Sequence, residues 1–435
     1  MFVREPQRDT PVLAEHEVVV LGGGPAGIAA AAAAGGAGRS TILVERYGFL
    51  GGAGTAAGLA KFCGLHAKVH GEHRQVVHGI ADDVLSRLNA LGALSAPHSL
   101  FGGRIQAQAY DVSAYKLVAD QVLLEAKVRL LFHAMAVGYR DGHLLVETKS
   151  GRRAIRGRIF IDCSGDGDLA CWAGAPYEVG DGKGNMLYPS TMYRIGGVDP
   201  ARAGNAWETI AARMEEAERA GRRFPRKKPI VRPQPNPVEW RANLTQIRNR
   251  DGSAVSGIDA EQLSWGEVEG RRQVWDTFQF IRETTPGFER AYIAEIAPQI
   301  GIRETRRIGG VYQLTENDVL DCADFPDAIG VNGWPVEEHK AGDVEFRFQR
   351  APRGYNQLPY RILVPLGVDN LLVAGRCASM THGGQSAARV SGACFAMGQA
   401  AGSAAHLALK LGVAPSDVDA AELQTHLMQN GAWLG

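Results

Sequence analysis

The chain has 435 residues, 47 basic against 47 acidic side chains, and 45% hydrophobic residues. This balance argues against nucleic acid as a partner, because binding to phosphate backbones needs a basic excess. Residues 1–16 carry charges and prolines without the apolar run of a signal peptide, and no later window reaches a membrane-spanning length. We therefore expect a globular cytoplasmic protein with no membrane or nucleic-acid partner, and leave homo-oligomer formation open.

The cysteine and histidine pattern gives no sign of a metal site. The 6 cysteines contain no CxxC pair and no zinc-ligand spacing. Four histidines, His66, His70, His73 and His78, also lack a metal-binding spacing with a carboxylate partner. We predict no bound metal.

The first predicted element is a strand that runs into a glycine turn. Residues 18–27 read VVVLGGGPAG, an alanine-rich segment follows, and a second apolar strand ends at Glu45. This order and spacing predict a βαβ dinucleotide-binding unit. Gly22 makes the turn, Gly24 admits a pyrophosphate at the helix N-terminus, and Gly27 lets the helix pack on the strand. Glu45 is placed to bind an adenosine ribose.

A second glycine-dense loop follows at once. Residues 45–52 read ERYGFLGG. With the first glycine turn, this motif resembles the FAD-dependent oxidoreductase family of the glutathione-reductase-like class, in which a second glycine pair lies along the cofactor. The resemblance implies FAD as cofactor.

Two helices and a β-meander are predicted next. Apolar spacing places one helix from residue 80 to a stop at residues 91–92, and another over residues 112–125. Alternating strands over residues 128–161 form the meander. A buried strand then opens into DCSGDGD, residues 162–168, which lacks the distal glutamate of a calcium loop. By the resemblance, this loop touches the cofactor.

Residues 169–355 have a different character and predict an inserted domain. Helices are expected over residues 207–220 and 261–284. The basic proline-rich stretch between them, residues 222–229, is interpreted as a solvated loop, with a dimer contact or an active-site cover as alternatives. Further on, residues 298–310 read PQIGIRETRRIGG and again resemble the family.

The last part of the chain returns to the core. A strand ends at Gly375, a polar loop over residues 379–392 follows, and a long helix is expected over residues 393–411. Its N-terminus can aim amide groups at an electron-rich ring, as related flavoproteins do toward the flavin. Where the wider class often has an acid after the strand glycine, this chain has Arg376, which could compensate pyrophosphate charge.

The predicted fold class is α/β: a Rossmann-like FAD-binding domain with a parallel sheet and β-meander, plus an inserted α+β substrate domain. The expected divisions are the FAD-binding domain over residues 15–168 with a substrate-side excursion near 56–110, the cap domain over 169–355, the return over 356–412, and a C-terminal tail over 413–435. The expected FAD-binding residues are Gly22, Gly24, Pro25, Ala26, Gly27, Glu45, Arg46, Gly51, Gly52, Thr55, Val137, Ser164, Gly165, Asp168, Gly375, Arg376, Arg389 and Val390.

A flavin beside histidine, arginine and tyrosine suits hydride removal from a polar C–H bond while an imidazole takes the adjacent proton. His382 is the preferred acid/base residue, because its His-Gly element resembles that of succinate dehydrogenases and fumarate reductases; a role in loop or flavin hydrogen bonding is the alternative. The candidates for holding substrate are His66, Arg303, His339, Tyr360 and Arg361.

The predicted function is oxidation of a small polar molecule (an alcohol, amine or hydroxy acid) by an FAD-dependent dehydrogenase or oxidase. A nicotinamide-reduced flavin reductase or monooxygenase is one alternative, and a non-catalytic electron-transfer or binding subunit is another. The absence of iron–sulfur cysteine clusters argues against the last. Fold does not decide the substrate.

Overall fold

The computed structural model describes residues 2, 3 and 8–435. Its helices are α1 (Pro25–Gly36), α2 (Ile80–Ala90), α3 (Val112–Glu125), α4 (Asp168–Trp172), α5 (Pro200–Ala203), α6 (Ala206–Arg219), α7 (Ala260–Thr284), α8 (Glu316–Leu320), α9 (His382–Ala388), α10 (Ser391–Leu411) and α11 (Ala420–Gln429). Its strands are β1 (Val12–Leu21), β2 (Thr41–Val44), β3 (Lys61–Cys63), β4 (His66–Val69), β5 (Glu72–Gln75), β6 (His98–Leu100), β7 (Ile105–Ala109), β8 (Arg129–Leu131), β9 (Met135–Arg140), β10 (His143–Thr148), β11 (Gly151–Asp162), β12 (Tyr177–Val179), β13 (Tyr193–Gly196), β14 (Ile230–Pro233), β15 (Trp240–Asn243), β16 (Tyr292–Ile296), β17 (Arg306–Ile308), β18 (Ala328–Asn332), β19 (Val336–Lys340), β20 (Asp343–Arg347), β21 (Asn356–Pro359) and β22 (Leu371–Val373).

A mostly parallel sheet forms the centre of the molecule. Its order is β8-β2-β1-β11-β10-β9, and β22 pairs with the end of β11. Strands β8, β2, β1, β11 and β22 are parallel, whereas β9, β10 and the first half of β11 form an antiparallel meander. The apolar run of β1 is fully buried, as expected for a parallel strand covered on both faces. The predicted Rossmann-like fold is confirmed.

Glycines set the distances between the nucleotide turn and the two central helices. Gly22 has φ +97°, and a Cβ on Gly27 would lie 1.8 Å from the Gly22 carbonyl oxygen. On α10, a Cβ on Gly398 or Gly402 would lie 2.1 or 2.2 Å from a backbone oxygen of α1. Only glycine permits such close backbone approach. The N-termini of α1 and α10 are therefore fixed beside the same edge of the sheet.

A second, smaller core lies in the inserted segment. The antiparallel sheet β14-β15-β13-β16 packs with α6 and α7 around Trp240, Phe278 and Phe288. Its buried residues fall between 193 and 291, within the segment predicted as a cap domain. The domain boundaries themselves remain a prediction.

The segment predicted as a polar loop and the C-terminal tail both contain helices. The polar loop after residue 379 includes α9, because the Thr381 hydroxyl accepts a hydrogen bond from the Gly384 N–H at 3.1 Å and caps the helix. The C-terminal tail includes α11, which the Asp419 carboxylate caps and which buries Leu423 and Leu427. In addition, α10 begins at Ser391, two residues earlier than the expected start. No helix in the described residues has the length and apolar character needed to cross a bilayer.

Candidate active site

A cleft of about 480 Å³ opens at the carboxyl ends of β1, β2, β11 and β22. The α1 and α10 N-termini, β3 and the cap helix α7 complete its walls. The expected FAD-binding residues that line it are Gly22, Gly24, Pro25, Ala26, Glu45, Arg46, Gly52, Ser164, Gly165, Asp168, Gly375, Arg376, Arg389 and Val390.

Four expected FAD-binding residues lie outside this lining. Gly27 is used for helix packing, Gly51 donates its N–H to the Gly23 carbonyl, and the Thr55 hydroxyl donates to the Leu50 carbonyl at 2.7 Å. Val137 lies further along β9 and is partly exposed, while Ala134, Met135 and Ala136 line the cleft instead. Neighbouring side chains of a strand point to opposite faces, and the sequence alone did not show which of residues 134–137 line the cleft.

Glu45 closes one end of the cleft at the end of β2. Its Oε2 accepts the Gly23 N–H at 2.7 Å, and its Oε1 accepts the Tyr47 N–H at 3.1 Å. Burial raises the pKa of Glu45, and these two hydrogen bonds act in the opposite direction. A carboxylate held this way retains lone pairs that can accept hydroxyl hydrogen bonds.

The N-terminus of α1 provides room and donors for an anion. A Cβ built on Gly24 would meet only the Gly52 Cα, at 3.8 Å, so no protein atom fills the space in front of this turn. Pro25 stands at the first helical position. The first-turn N–H groups of a helix have no partners within the helix, and the helix dipole favours negative charge there. The turn is suited to a pyrophosphate.

A charged cluster lies at the end of β11. The Asp166 carboxylate accepts hydrogen bonds from Arg376 at 2.8 Å and from the Thr305 hydroxyl at 3.0 Å, and Arg46 lies 3.9 Å away. Arg376 also donates to the Ile302 carbonyl at 2.6 Å. Arg376 is therefore held by a buried acid that the sequence analysis did not select, although its guanidinium still faces the cleft.

Asp168, in the same loop, is paired with Arg306 at 2.8 Å. Burial, together with the nearby charges of Asp166 and Asp162, raises the pKa of Asp168 to about 6. Asp166 and Asp168 thus share this part of the cleft with Arg46 and Arg376. Among the described residues, no three His, Cys, Asp or Glu side chains come together as a metal site would require.

The opposite end of the cleft is formed by β3 and the start of α10. The Ser391 Oγ accepts the Cys63 N–H at 2.8 Å and donates to the Cys63 carbonyl at 3.0 Å. This pair of hydrogen bonds ties the first residue of α10 to β3. Lys61 and Phe62 of the same strand line the cleft. The α10 amide groups therefore face the cleft beside a buried lysine.

The cap helix α7 reaches the cleft through Leu263 and Glu267. These residues are four positions apart and so share one face of the helix. The Glu267 Oε1 accepts the Ile300 N–H at 2.8 Å, which attaches α7 to the loop after β16. Sequence analysis missed this pair, and also Lys61, Tyr110 and Gln299. The one available signal was a charged lysine inside an otherwise apolar strand.

None of the five residues expected to act in catalysis lines the cleft. His382 begins α9 and faces a second cavity, where its Nδ1 lies 3.0 Å from the Glu304 carboxylate. Because Thr381 caps α9, the His-Gly element forms the helix start rather than a loop toward the cleft. The structure does not bring His382 to the position expected for an acid/base residue.

The other four candidates lie outside the cleft lining, and three of them bond within the protein. His66 is buried in β4, opposite Gln75. The Tyr360 hydroxyl donates to the Pro415 carbonyl at 2.7 Å, and Arg361 pairs with Asp327 at 2.9 Å. Arg303 donates to the Tyr188 carbonyl and to the Ser190 hydroxyl, both at 2.7 Å. His339, also considered for substrate, lies 3.0 Å from Glu337.

The sheet order, the glycine turn and the cleft define a dinucleotide-binding protein of the Rossmann-like class, with a second core between β11 and β22. The family model for FAD dependent oxidoreductases matches residues 17–427. The chain belongs to this family, which confirms the resemblance inferred from the glycine motifs. Family membership makes FAD the cofactor.

The solved structures that align with this chain are distant in sequence. A geranylgeranyl bacteriochlorophyll reductase-like protein from Thermoplasma acidophilum is 11% identical with a TM-score of 0.46, over 96% of this chain and 84% of that one. The anhydrotetracycline hydroxylase OxyS from Streptomyces rimosus is 12% identical with a TM-score of 0.41, over 96% and 66%. The p-nitrophenol 4-monooxygenase PnpA from Pseudomonas putida is 12% identical with a TM-score of 0.39, over 69% and 70%. A search of curated proteins gave no match.

Proposed function

We propose that FAD lies along the cleft, with its adenosine ribose at Glu45, its pyrophosphate at the N-terminus of α1, and its flavin between β3 and the start of α10. Glu45 has free acceptor capacity, and the space in front of Gly24 is open. The α10 amide groups face the remaining end of the cleft. Arg376 and Arg46 add positive charge along the middle, partly offset by Asp166.

We further propose that the protein oxidises a small polar substrate, an alcohol, amine or hydroxy acid. Bound FAD supplies the two-electron acceptor for a hydride. The observation that carries this proposal is the α10 N-terminus, which Ser391 holds against β3 at the cleft end. Its free amide groups and dipole stabilise negative charge that develops nearby. Leu263, Ile300 and Ile302 line the cleft and exclude water from its wall.

No proton transfer is assigned to His382 in this proposal, because the imidazole faces the second cavity. The described residues also contain one strand–glycine–helix nucleotide unit, that of β1 and α1. A nicotinamide would thus have no dedicated domain of its own, which favours direct reduction of FAD by the substrate.

The proposal is tested by anaerobic titration of the FAD-loaded protein. The flavin absorbance is followed with NADH, NADPH and panels of polyols, amines and hydroxy acids. Bleaching by one of the metabolite panels, with no response to nicotinamides, is the expected result. Bleaching by a nicotinamide alone would overturn the proposal and favour a reductase or monooxygenase.

A further inference from the structure

Three cations without acidic partners lie close to one another near β3. Lys61 comes from β3 and lines the cleft, while Arg232 and Arg241 come from β14 and β15 and do not line it. Within the described part of the chain, none of the three forms an ion pair with a carboxylate. Burial lowers the pKa of Lys61, and the charges of both arginines lower it further, which places them near its ammonium group. Buried charges are ordinarily paired, so this group requires an explanation.

The register of the cap sheet places the arginines in one row. Arg232 lies directly opposite Arg241, and Arg241 lies directly opposite Arg194 on β13. Residues directly opposite in an antiparallel pair project from the same face, and like charges there are unfavourable. Arg194 is neutralised by Glu295 at 2.9 Å and by Glu239 at 3.3 Å. The other two arginines of the row have no such partner among the described residues.

Two unpaired members of this group, Lys61 and Arg241, are deeply buried, and Arg232 is half-buried. Arg241 is 1% exposed, and its hydrogen bond goes to the Met192 sulfur at 3.6 Å. Lys61 is 7% exposed, lines the cleft, and has no hydrogen-bond partner for its ammonium group among the described residues. Arg232 stacks on the Trp207 ring at 4.9 Å. A strongly hydrated ammonium group kept at a cleft wall without a partner is poised for an incoming ligand.

The same positive field reaches a neighbouring histidine. Burial and the charges of Lys61, Arg232 and Arg241 lower the pKa of His98 to about 4. The His98 Nε2 is buried and has no hydrogen-bond partner in the described structure. Glu337, the one carboxylate whose charge raises the pKa of Lys61 among its main influences, already accepts the Trp334 indole N–H at 2.8 Å and lies 3.0 Å from His339. The charge of the group is therefore left uncompensated.

We propose that Lys61 binds the anionic group of the substrate, with Arg232 and Arg241 supplying unpaired positive charge beside it, so that the oxidised molecule is a small carboxylate or phosphate rather than a neutral alcohol or amine. The Lys61 ammonium offers three donors to such an anion, and the two arginines strengthen the positive potential around it. Lys61 and Phe62 of β3 both line the cleft, so the proposed anion site lies on the cleft wall. The inference rests on the proposed function, because that function places the flavin at this end of the cleft.

The test measures binding of chosen probes to the FAD-loaded protein, independently of turnover. Thermal unfolding is recorded with malonate, glycerol 3-phosphate and the neutral analogue malonamide, at constant ionic strength. A ligand that binds only the folded protein raises its Tm. We expect a rise with malonate or glycerol 3-phosphate and none with malonamide. A response to malonate alone identifies a carboxylate site, and a response to glycerol 3-phosphate alone identifies a phosphate site.

Three variants test which residues are responsible for the anion-induced rise in Tm. Arg241→Gln and Arg232→Gln should reduce this rise, whereas Arg194→Gln, from the neutralised position of the same row, should keep it. The visible flavin spectrum confirms that each variant is folded and loaded, and Arg232→Gln serves if Arg241→Gln does not fold. An anion response equal in all variants, or absent from the unsubstituted protein, would overturn the anion site.

The experiments distinguish a wrong anion site from a wrong proposed function. Flavin reduction by a neutral alcohol, with no anion response, contradicts the anion site alone. Anion binding that is retained while only nicotinamides reduce the flavin contradicts substrate oxidation and supports the anion site.

Discussion

Ser391 and Cys63 are joined by two hydrogen bonds of 2.8 and 3.0 Å, although they are 328 positions apart. The Ser391 hydroxyl satisfies both the N–H and the carbonyl of Cys63 and fixes the start of α10 against β3. We propose that this contact holds the helix end in place over the flavin.

Replacement of Ser391 by Ala should lower the free energy of unfolding by about 1–3 kcal/mol, because it leaves two buried backbone groups without partners. The rate of flavin reduction should fall as well, since the α10 amide groups lose their fixed position. Urea unfolding and anaerobic reduction kinetics measure the two effects. Ser416→Ala, on an exposed turn, is the control and should change neither. Unchanged stability in Ser391→Ala would show that the contact is dispensable.

Gly24 and Gly27 should respond differently to substitution by Ala. The added Cβ at Gly27 would lie 1.8 Å from the Gly22 oxygen, so this variant should lose about 1–3 kcal/mol or more of stability even without FAD. At Gly24 the nearest protein atom is 3.8 Å away. Gly24→Ala should therefore keep the stability of the cofactor-free protein but bind FAD more weakly.

The measurement for this pair is thermal unfolding of cofactor-free protein, followed by fluorescence titration with FAD. Gly36→Ala, where a Cβ would meet no atom within 4 Å, is the matched control in the same helix. If Gly24→Ala bound FAD as tightly as the unsubstituted protein, the pyrophosphate would not lie against this turn.

Removal of the unpaired charge at Arg241 should stabilise the ligand-free protein. A buried charge without a partner is unfavourable, and its replacement by an apolar side chain of similar length can gain about 1–4 kcal/mol. We expect Arg241→Met to raise the free energy of urea unfolding while anion binding weakens. Arg194→Met breaks two ion pairs and should lower it. A large loss of stability in Arg241→Met would indicate a structural role for this arginine.

Anion binding should weaken as pH rises. Burial lowers the pKa of Lys61, and Arg241 and Arg232 act in the same direction, whereas Cys63 and Glu337 oppose it. A bound anion favours the charged ammonium and raises this pKa, so binding takes up a proton above the ligand-free pKa. Malonate affinity measured by calorimetry from pH 6 to 9 should therefore decrease. Lys61→Met should bind malonate less tightly, and its affinity should no longer show the pH dependence that Lys61 contributes. If its pH profile matched that of the unsubstituted protein, Lys61 would not be the source of the pH dependence.

Local sequence patterns predicted the nucleotide-binding turn and the two helices beside it. The glycine turn, α1 and Glu45 are close in sequence, and each has a mechanism that its spacing reveals. The start of α10 was expected within two residues. These features depend on short-range geometry, and the structure places them around one cleft.

The proposed anion site depends on long-range register and was not predictable in the same way. Lys61, Arg232 and Arg241 come from three strands, and only the pairing of β14 with β15 brings two of them opposite each other. The position of His382 was not predictable from local patterns for a related reason. A Thr381 cap turns its segment into α9, and the packing of that helix directs the imidazole toward Glu304.

Hydride transfer from the substrate to FAD is tested by the anaerobic rate of flavin reduction with the substrate that the panels identify, compared with the same substrate deuterated at its reactive carbon. We expect reduction by a small anionic molecule, slower for the deuterated form because the C–H bond breaks in the step that reduces the flavin. Equal rates under conditions where chemistry limits reduction, or reduction by nicotinamides alone, would contradict hydride transfer from the substrate.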